Sequence, residues 1–161
     1  MTVATRLSID RSRIEGVGVF AAQTYQWGDS ILSFRESLPV PDVRRLSIQV
    51  STHAHIEPRP QVLQRVNHSC TPNARFDVER FEFVAISKVN PGDELTVFYP
   101  ATEWRMCAEF VCFCGSPLCL GLIRGAAHVP ERVLRRHQPA QHVVELAGLN
   151  ERSNRPRMRG M

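Results

Sequence analysis

The chain has 161 residues, 43% of them hydrophobic and 22% charged, which describes one packed domain and excludes a low-complexity or fibrous chain. Its formal charge of +4 is local: Arg152, Arg155, Arg157 and Arg159 lie in an acid-free end, and removing them from 20 basic residues leaves 16 against 16 acidic ones. No apolar run reaches the roughly 18 residues of a membrane span, so a membrane role is not expected.

In chain order, residues 13–38 suggest short strands separated by turns, with Gly16 and Gly18 around a small apolar run. Trp27-Gly28-Asp29 marks a turn, and Pro39 and Pro41 break the chain. From Ser47 to Ile56 the pattern alternates. Ile48, Val50, Thr52, Ala54 and Ile56 share one face, and Gln49, Ser51, His53 and His55 share the other, which predicts a half-buried strand ended by Pro58 and Pro60. Arg80–Ile86 and Glu94–Tyr99 predict two more strands around the turn Asn90-Pro91-Gly92-Asp93. Residues 107–119 are loop-like. Pro130-Glu131 opens a helix running to about His137, and Gln141–Leu149 predicts a second. Many short strands and little helix make a mainly β domain.

Two segments carry dense chemistry. Arg65-Val66-Asn67-His68-Ser69-Cys70-Thr71-Pro72-Asn73 crowds amides, an imidazole, a hydroxyl and a thiol into one short loop. Cys112-x-Cys114 with Cys119 follows, with Gly115, Ser116 and Pro117 turning the chain between them. The N-terminus, Met1 to Arg13, lacks a signal-peptide hydrophobic region. A cytoplasmic location, or a nuclear one in a eukaryote, is therefore expected rather than secretion. In such a reducing compartment cysteines are metal ligands or free thiols rather than disulfides. Three thiolates at this spacing suit three corners of a tetrahedral zinc site, and Cys70 is the obvious fourth donor; Cys107 is left as a free thiol. Taken singly, Gly16-x-Gly18, Asn67-His68 and Tyr99 also fit a turn, a hydrogen-bonded structural histidine and an edge aromatic.

Their order is more specific. Gly16-Val17-Gly18-Val19-Phe20-Ala21, then the Asn67-His68-Ser69-Cys70 loop, then Gly92-Asp93-Glu94-Leu95-Thr96-Val97-Phe98-Tyr99, then the cysteine segment, together resemble the SET-domain methyltransferases with a post-SET zinc segment. The resemblance covers about residues 8–125. It implies a SET domain over 8–106 and a post-SET zinc segment over 107–125; the residues themselves suggest a C-terminal helical extension with a basic, disordered tail over 126–161. The implied fold is mainly β with a knot-like crossing of the Asn67-His68-Ser69-Cys70 segment and the Glu94-Leu95-Thr96 strand, an exception to the rule against threaded chains.

The resemblance further implies S-adenosyl-L-methionine bound by Gly16, Val17, Gly18, Arg65, Asn67 and His68, with Phe113, Leu122 or Ile123 over the adenine. Tyr99 would be the catalytic-site tyrosine, and Cys70, Cys112, Cys114 and Cys119 would hold one structural zinc ion. The implied activity is methyl transfer to an amine, first of all a protein lysine. A small-molecule acceptor is the alternative, since the stretch between Pro39 and Arg65, where larger relatives carry a substrate-gripping insert, is short. A non-catalytic zinc-stapled binding module is the third possibility, and the intact glycines, Asn67, His68 and Tyr99 speak against it. Val97 stands where many members carry an aromatic, which leaves the number of methyl groups added open. Nucleic acid is not an expected partner of the neutral body; weak contact through the Arg-rich tail is the exception, and no aromatic interleaves with those arginines.

Overall fold

The computed structural model describes residues 6–149, so the basic tail lies outside the described residues. Short strands dominate. β1 (Leu7–Arg11) and β2 (Val17–Ala21) form an antiparallel hairpin. Its turn closes with Ser12 N–H donating to the Gly16 carbonyl at 2.9 Å, and Gly16 takes φ +46°, a conformation that favours glycine. β10 (Glu94–Val97) pairs antiparallel with β2 and parallel with β7 (Asn67–His68), giving the order β1-β2-β10-β7. Val19 and Leu95 at its centre are fully buried, as the alternation of these strands requires.

A second sheet stacks β3 (Ser30–Ser33), β9 (Glu82–Ala85) and β8 (Ala74–Asp77) in the order β3-β9-β8. Phe34, Phe76 and Phe83 pack beside it, with Phe34 and Phe76 edge to face at 5.7 Å. The third sheet orders β4 (Leu38–Val40), β6 (His55–Glu57) and β5 (Ile48–Gln49) as β4-β6-β5.

Here the structure corrects the single strand expected over Ser47–Ile56. The segment folds back on itself, pairing Ile48 with Ile56 and Gln49 with His55. Val50 and Ser51 both donate main-chain bonds to the Ala54 carbonyl, closing a turn that the alternating pattern concealed. Gln49, expected on the polar face, is buried. Its Nε2 donates to the Ser51 carbonyl and its Oε1 accepts from Trp104 N–H.

The Asn67-His68-Ser69-Cys70 segment runs beside the end of β10. Ser69 N–H donates to the Val97 carbonyl at 2.9 Å. Asn73 fixes the next stretch, its Nδ2 donating to the Glu94 carbonyl and its Oδ1 accepting from Thr96 N–H. Beyond Tyr99 regular structure thins out. β11 (Phe110–Val111) and β12 (Leu122–Ile123) make a minimal ladder, and α1 (Glu131–Arg136) and α2 (Gln141–Leu146) follow. α2 is shorter than expected because Gly148, at φ +66°, ends it, with Leu149 N–H returning to the Val144 carbonyl. Ile123, Leu134 and Val143 form a second core with Cys70 and Cys112.

Candidate functional site

A cavity of about 630 Å³ opens between the β1–β2 turn, the loop before β5, the Arg65–His68 segment, Tyr99–Glu103 and the start of the cysteine segment. Gly16, Val17, Arg65, Asn67, His68, Tyr99 and Phe113 all line it. Gly18 does not. A Cβ there would drive into the Glu94 carboxylate, so this glycine makes room for that neighbour.

Glu94 is a residue that the sequence pattern did not single out, and it ties the site together. Its carboxylate accepts from Ser12 Oγ at 2.9 Å and from Asn67 Nδ2 at 2.9 Å. The same Asn67 Nδ2 reaches the carbonyls of Glu15 (3.1 Å) and Val17 (3.0 Å). The Asn67 amide thus clamps the glycine turn to β7, while its Oδ1 takes no partner among the described residues and is available to a ligand.

His68 occupies a different place from the one its neighbour suggests. The ring is buried, its Nδ1 accepts from Tyr99 N–H at 3.1 Å, and its Nε2 lies 3.3 Å from Cys70 Sγ. Because Nδ1 accepts, the ring proton sits on Nε2 and points at sulfur. Burial, reinforced by the charge of His137, pushes its pKa down to about 3 and keeps it neutral. Both nitrogens are used within the protein, so the ring braces the cysteine cluster against the Tyr99 main chain.

The strand expected over Glu94–Tyr99 stops at Val97; Tyr99 opens the 3-10 turn Tyr99–Ala101 just beyond it and lies edge to face with His68 and Phe110. Its hydroxyl donates to the Val66 carbonyl at 2.7 Å. Burial first, and then the Glu103 carboxylate, push its pKa up to about 12. The phenol is therefore protonated at neutral pH and fixed in direction. Glu103, also missed, lies in the same cavity and is buried; burial pushes it up to about 7 against bonds from Gln49 N–H and Thr102 Oγ1.

Cys70, Cys112, Cys114 and Cys119 converge, their Sγ atoms all lying within 4.8 Å of one another. Tetrahedral zinc thiolates, with bonds of about 2.3 Å, stand somewhat closer than that, so the four sulfurs fit one ion after slight contraction. The surroundings suit thiolates. Leu120 N–H donates to Cys70 Sγ and Gly121 N–H to Cys119 Sγ, each at 3.4 Å, and His68 Nε2 faces Cys70. Without a cation, burial raises Cys70 to about 11 and raises Cys112 as well; a divalent ion would remove that penalty. Cys107 is exposed and outside the cluster.

Of the three residues expected over an adenine, Phe113 alone lines the cavity. Ile123 is buried in the second core, and Leu122 is exposed away from the cavity. The reason is the pairing of β11 with β12, which turns Ile123 inward and leaves Leu122 on the outside.

The SET-domain family model matches residues 16–100, more than half of the chain. Methyltransferase flvH of Aspergillus flavus is 42% identical over 113 residues, covering 68% of this chain and 62% of that protein. Histone-lysine N-methyltransferase TRX1 of Oryza sativa subsp. japonica is 29% identical over 147 residues, covering 76% of this chain and 14% of that protein. The chain thus spans less than two thirds of the first relative and a small part of the second. The crystal structure of KRYPTONITE in complex with mCHG DNA and SAH superposes with a TM-score of 0.58 at 20% identity, covering 72% of this chain and 28% of that one, and shares the fold. The matched stretch takes in the glycine turn before β2, the Asn67-His68-Ser69-Cys70 segment beside β10 and Tyr99, and the chain belongs to the SET-domain family, with methyltransferases among its relatives.

Proposed function

We propose that this protein transfers a methyl group from S-adenosylmethionine to an amine, with a protein lysine side chain as the acceptor. The observation that carries the reading is the shared cavity. Tyr99, locked to the Val66 carbonyl, meets Gly16, Val17 and Asn67 there, beside a thiol cluster that suits zinc. The names of the rice TRX1 and the Arabidopsis thaliana ATX2 relatives, both histone-lysine N-methyltransferases, support the acceptor class. The SAH bound in the KRYPTONITE structure supports the donor.

Bound S-adenosylmethionine supplies a methyl group on a sulfonium, electrophilic without further activation. The main chain at Gly16 and Val17 and the free Asn67 Oδ1 would hold its amino-acid end, Arg65 would face its carboxylate, and Phe113 would cover the ring. Cys70, Cys112, Cys114 and Cys119 would hold zinc with every position filled, a structural role that ties the cysteine segment to the cavity wall. Tyr99 acts by position. Its proton stays on oxygen at neutral pH, so the hydroxyl and the Val66 carbonyl it engages set the direction from which a nitrogen enters. The nitrogen must be neutral when it attacks, and burial in the cavity disfavours the charged form of a lysine whose ordinary pKa is about 10.4. Alignment of the reacting atoms then supplies much of the acceleration.

A small-molecule acceptor is the second reading. The short hairpins β4 to β6 favour it, because they leave the cavity mouth without an extended peptide-gripping segment, and the name of the 42% identical relative states no acceptor. Incubation with methyl-labelled S-adenosylmethionine and cell lysate tests both. Label in protein hydrolysates as methyl-lysine supports the first; label in the small-molecule fraction supports the second; label in neither overturns the amine-transfer reading.

A further inference from the structure

We propose that Glu103 is the seat of the acceptor's ammonium group, and that its free oxygen takes the proton the amine must lose. This rests on the amine-transfer reading above. Glu103 follows Tyr99 by one turn, with its N–H donating to the Tyr99 carbonyl at 2.9 Å and its carbonyl accepting from Ala126 N–H at 2.8 Å. The residue is 6% exposed and lines the same cavity as Tyr99. Only one carboxylate oxygen is occupied: Oε1 accepts from Gln49 N–H at 2.8 Å and from Thr102 Oγ1 at 3.1 Å. Oε2 has no hydrogen-bond partner among the described residues, and it is not among their sealed, unsatisfied polar atoms. It therefore retains access to the cavity.

A purely structural role does not require a carboxylate. A glutamine would accept from Gln49 N–H through its carbonyl oxygen and could still meet the Thr102 hydroxyl, without the cost of burying a charge. What a carboxylate adds is an anion beside the Tyr99 ring, and no cation pairs with it among the described residues. The ligand that complements a buried, half-engaged carboxylate is a compact cation with N–H donors: a primary or secondary ammonium. The proton step balances. One N–H bond of the ammonium breaks, an O–H bond forms on Oε2, and the nitrogen keeps the electron pair it needs as a nucleophile. Two opposite buried charges become two neutral groups, a change that a desolvated cavity favours. Burial already holds this carboxyl at about 7, closer to an amine than an ordinary glutamate stands.

The test uses the full chain with its metal, and n-butylamine as the probe of a lysine side chain. In protein labelled with 13C at the glutamate carboxyls and sequentially assigned, the Glu103 signal should move on addition of n-butylammonium chloride and stay still with 1-butanol. In transfer assays Glu103→Gln should lower kcat/KM for n-butylamine by about 30-fold or more, as expected for loss of one partner of a buried charge pair. Affinity for S-adenosylhomocysteine should stay within about twofold. 2,2,2-Trifluoroethylamine, already neutral at pH 7, should lose much less in the variant. Glu103→Asp, which keeps the charge, should retain part of the n-butylamine rate, and it decides the matter if the glutamine variant does not fold. An unmoved Glu103 signal in the wild type, or equal losses on both amines in the glutamine variant, overturns the proposal. If the wild type labels neither n-butylamine nor anything in lysate, the amine-transfer reading falls instead, while the carboxyl titration still decides whether Glu103 seats a cation.

Discussion

The core between the strands, around Val19, Phe34, Phe83 and Leu95, and the core beneath the cysteine segment, around Ile123, Leu134 and Val143, bury their side chains equally well on different supports. The first is held by ladders: β2 is paired on both sides, and β9 runs between β3 and β8. The second has a two-residue ladder and two six-residue helices, too short to stand without tertiary packing. Its cross-link is the thiol cluster, which joins Cys70, two residues past β7 of the first sheet, to Cys112, Cys114 and Cys119. Where regular structure is sparse, an ion on these thiols would supply the constraint. The cavity lies on the seam, with walls from both regions.

Breaking the cross-link should separate the two regions, and this is the largest effect expected. Strong chelation, or Cys112→Ser, should remove stabilisation on the order of 10 kcal/mol from the metal-linked part. Amide exchange should then be fast at Cys112, Ile123 and Ala126 while Val19 and Leu95 remain protected. Equal exchange in both regions, with and without chelator, would show that the cysteine segment stands unaided. Elemental analysis of the purified protein should return one zinc per chain.

The next effect lies on the seam. Tyr99→Phe should cost about 100-fold in turnover on whichever acceptor the lysate assay identifies, with little change in cofactor affinity. It removes one hydroxyl that is fixed to the Val66 carbonyl and leaves the ring packing against His68 and Phe110 intact. Wild-type turnover in this variant would remove the hydroxyl from the mechanism.

A smaller pair of effects sharpens the contrast between two adjacent residues. Asn67→Ala frees the glycine turn and should weaken S-adenosylhomocysteine binding by about 1–3 kcal/mol in calorimetry, with the metal retained. His68→Ala should act on the other side of the seam, loosening zinc as measured by competition with a chromogenic chelator, because its ring nitrogens serve Cys70 and the Tyr99 main chain. Identical behaviour of the two variants would deny the division.

The smallest effect is a slope. Glu103 has its folded pKa raised to about 7 from 4.5, so the folded state holds the extra proton between those values. Its contribution to stability is fully present below about pH 4.5 and is lost as pH rises through about 7. His68, lowered from 6.5 to about 3, tilts the curve the other way over part of that range. The difference between wild type and Glu103→Gln in chemical denaturation isolates the first contribution: the wild type should lose stability relative to the variant between pH 5 and 7. A difference that does not change with pH would mean that the carboxyl titrates normally.

The strands around the glycine turn, the Glu94–Val97 strand and the convergence of Cys70 on the later cysteines were legible in the sequence, because each has a local pattern or a distinctive ligand spacing. The Ile48–Ile56 hairpin was not. Its turn, Ser51 to Ala54, contains neither glycine nor proline, and folding back preserves the alternation of a single strand. Glu94 and Glu103 were invisible for another reason. Nothing in their immediate neighbours shows that one carboxylate fills the space beside Gly18 or that the other is buried against β5. Those facts arise only when distant segments meet. The direction of the His68 ring was not legible either, since spacing cannot tell that its nitrogens turn to Cys70 and the Tyr99 main chain.

The parallel pairing of β7 with β10 bears on how the chain assembles. Parallel neighbours cannot be joined by a tight turn, and the connection here carries the whole β8–β9 hairpin. Asn73 bonds Glu94 and Thr96 across that loop, and these bonds hold the stretch after Cys70 beside β10, close to where the other thiols gather. During synthesis Cys70 leaves the ribosome well ahead of Cys112, so the four thiols can converge only once the later segment has been made and has folded back. If the four thiols take the ion proposed above, its capture would report the register of β7 against β10. A chain that mispaired these strands would carry three local thiols and a stranded fourth, and it would be expected to hold such an ion weakly.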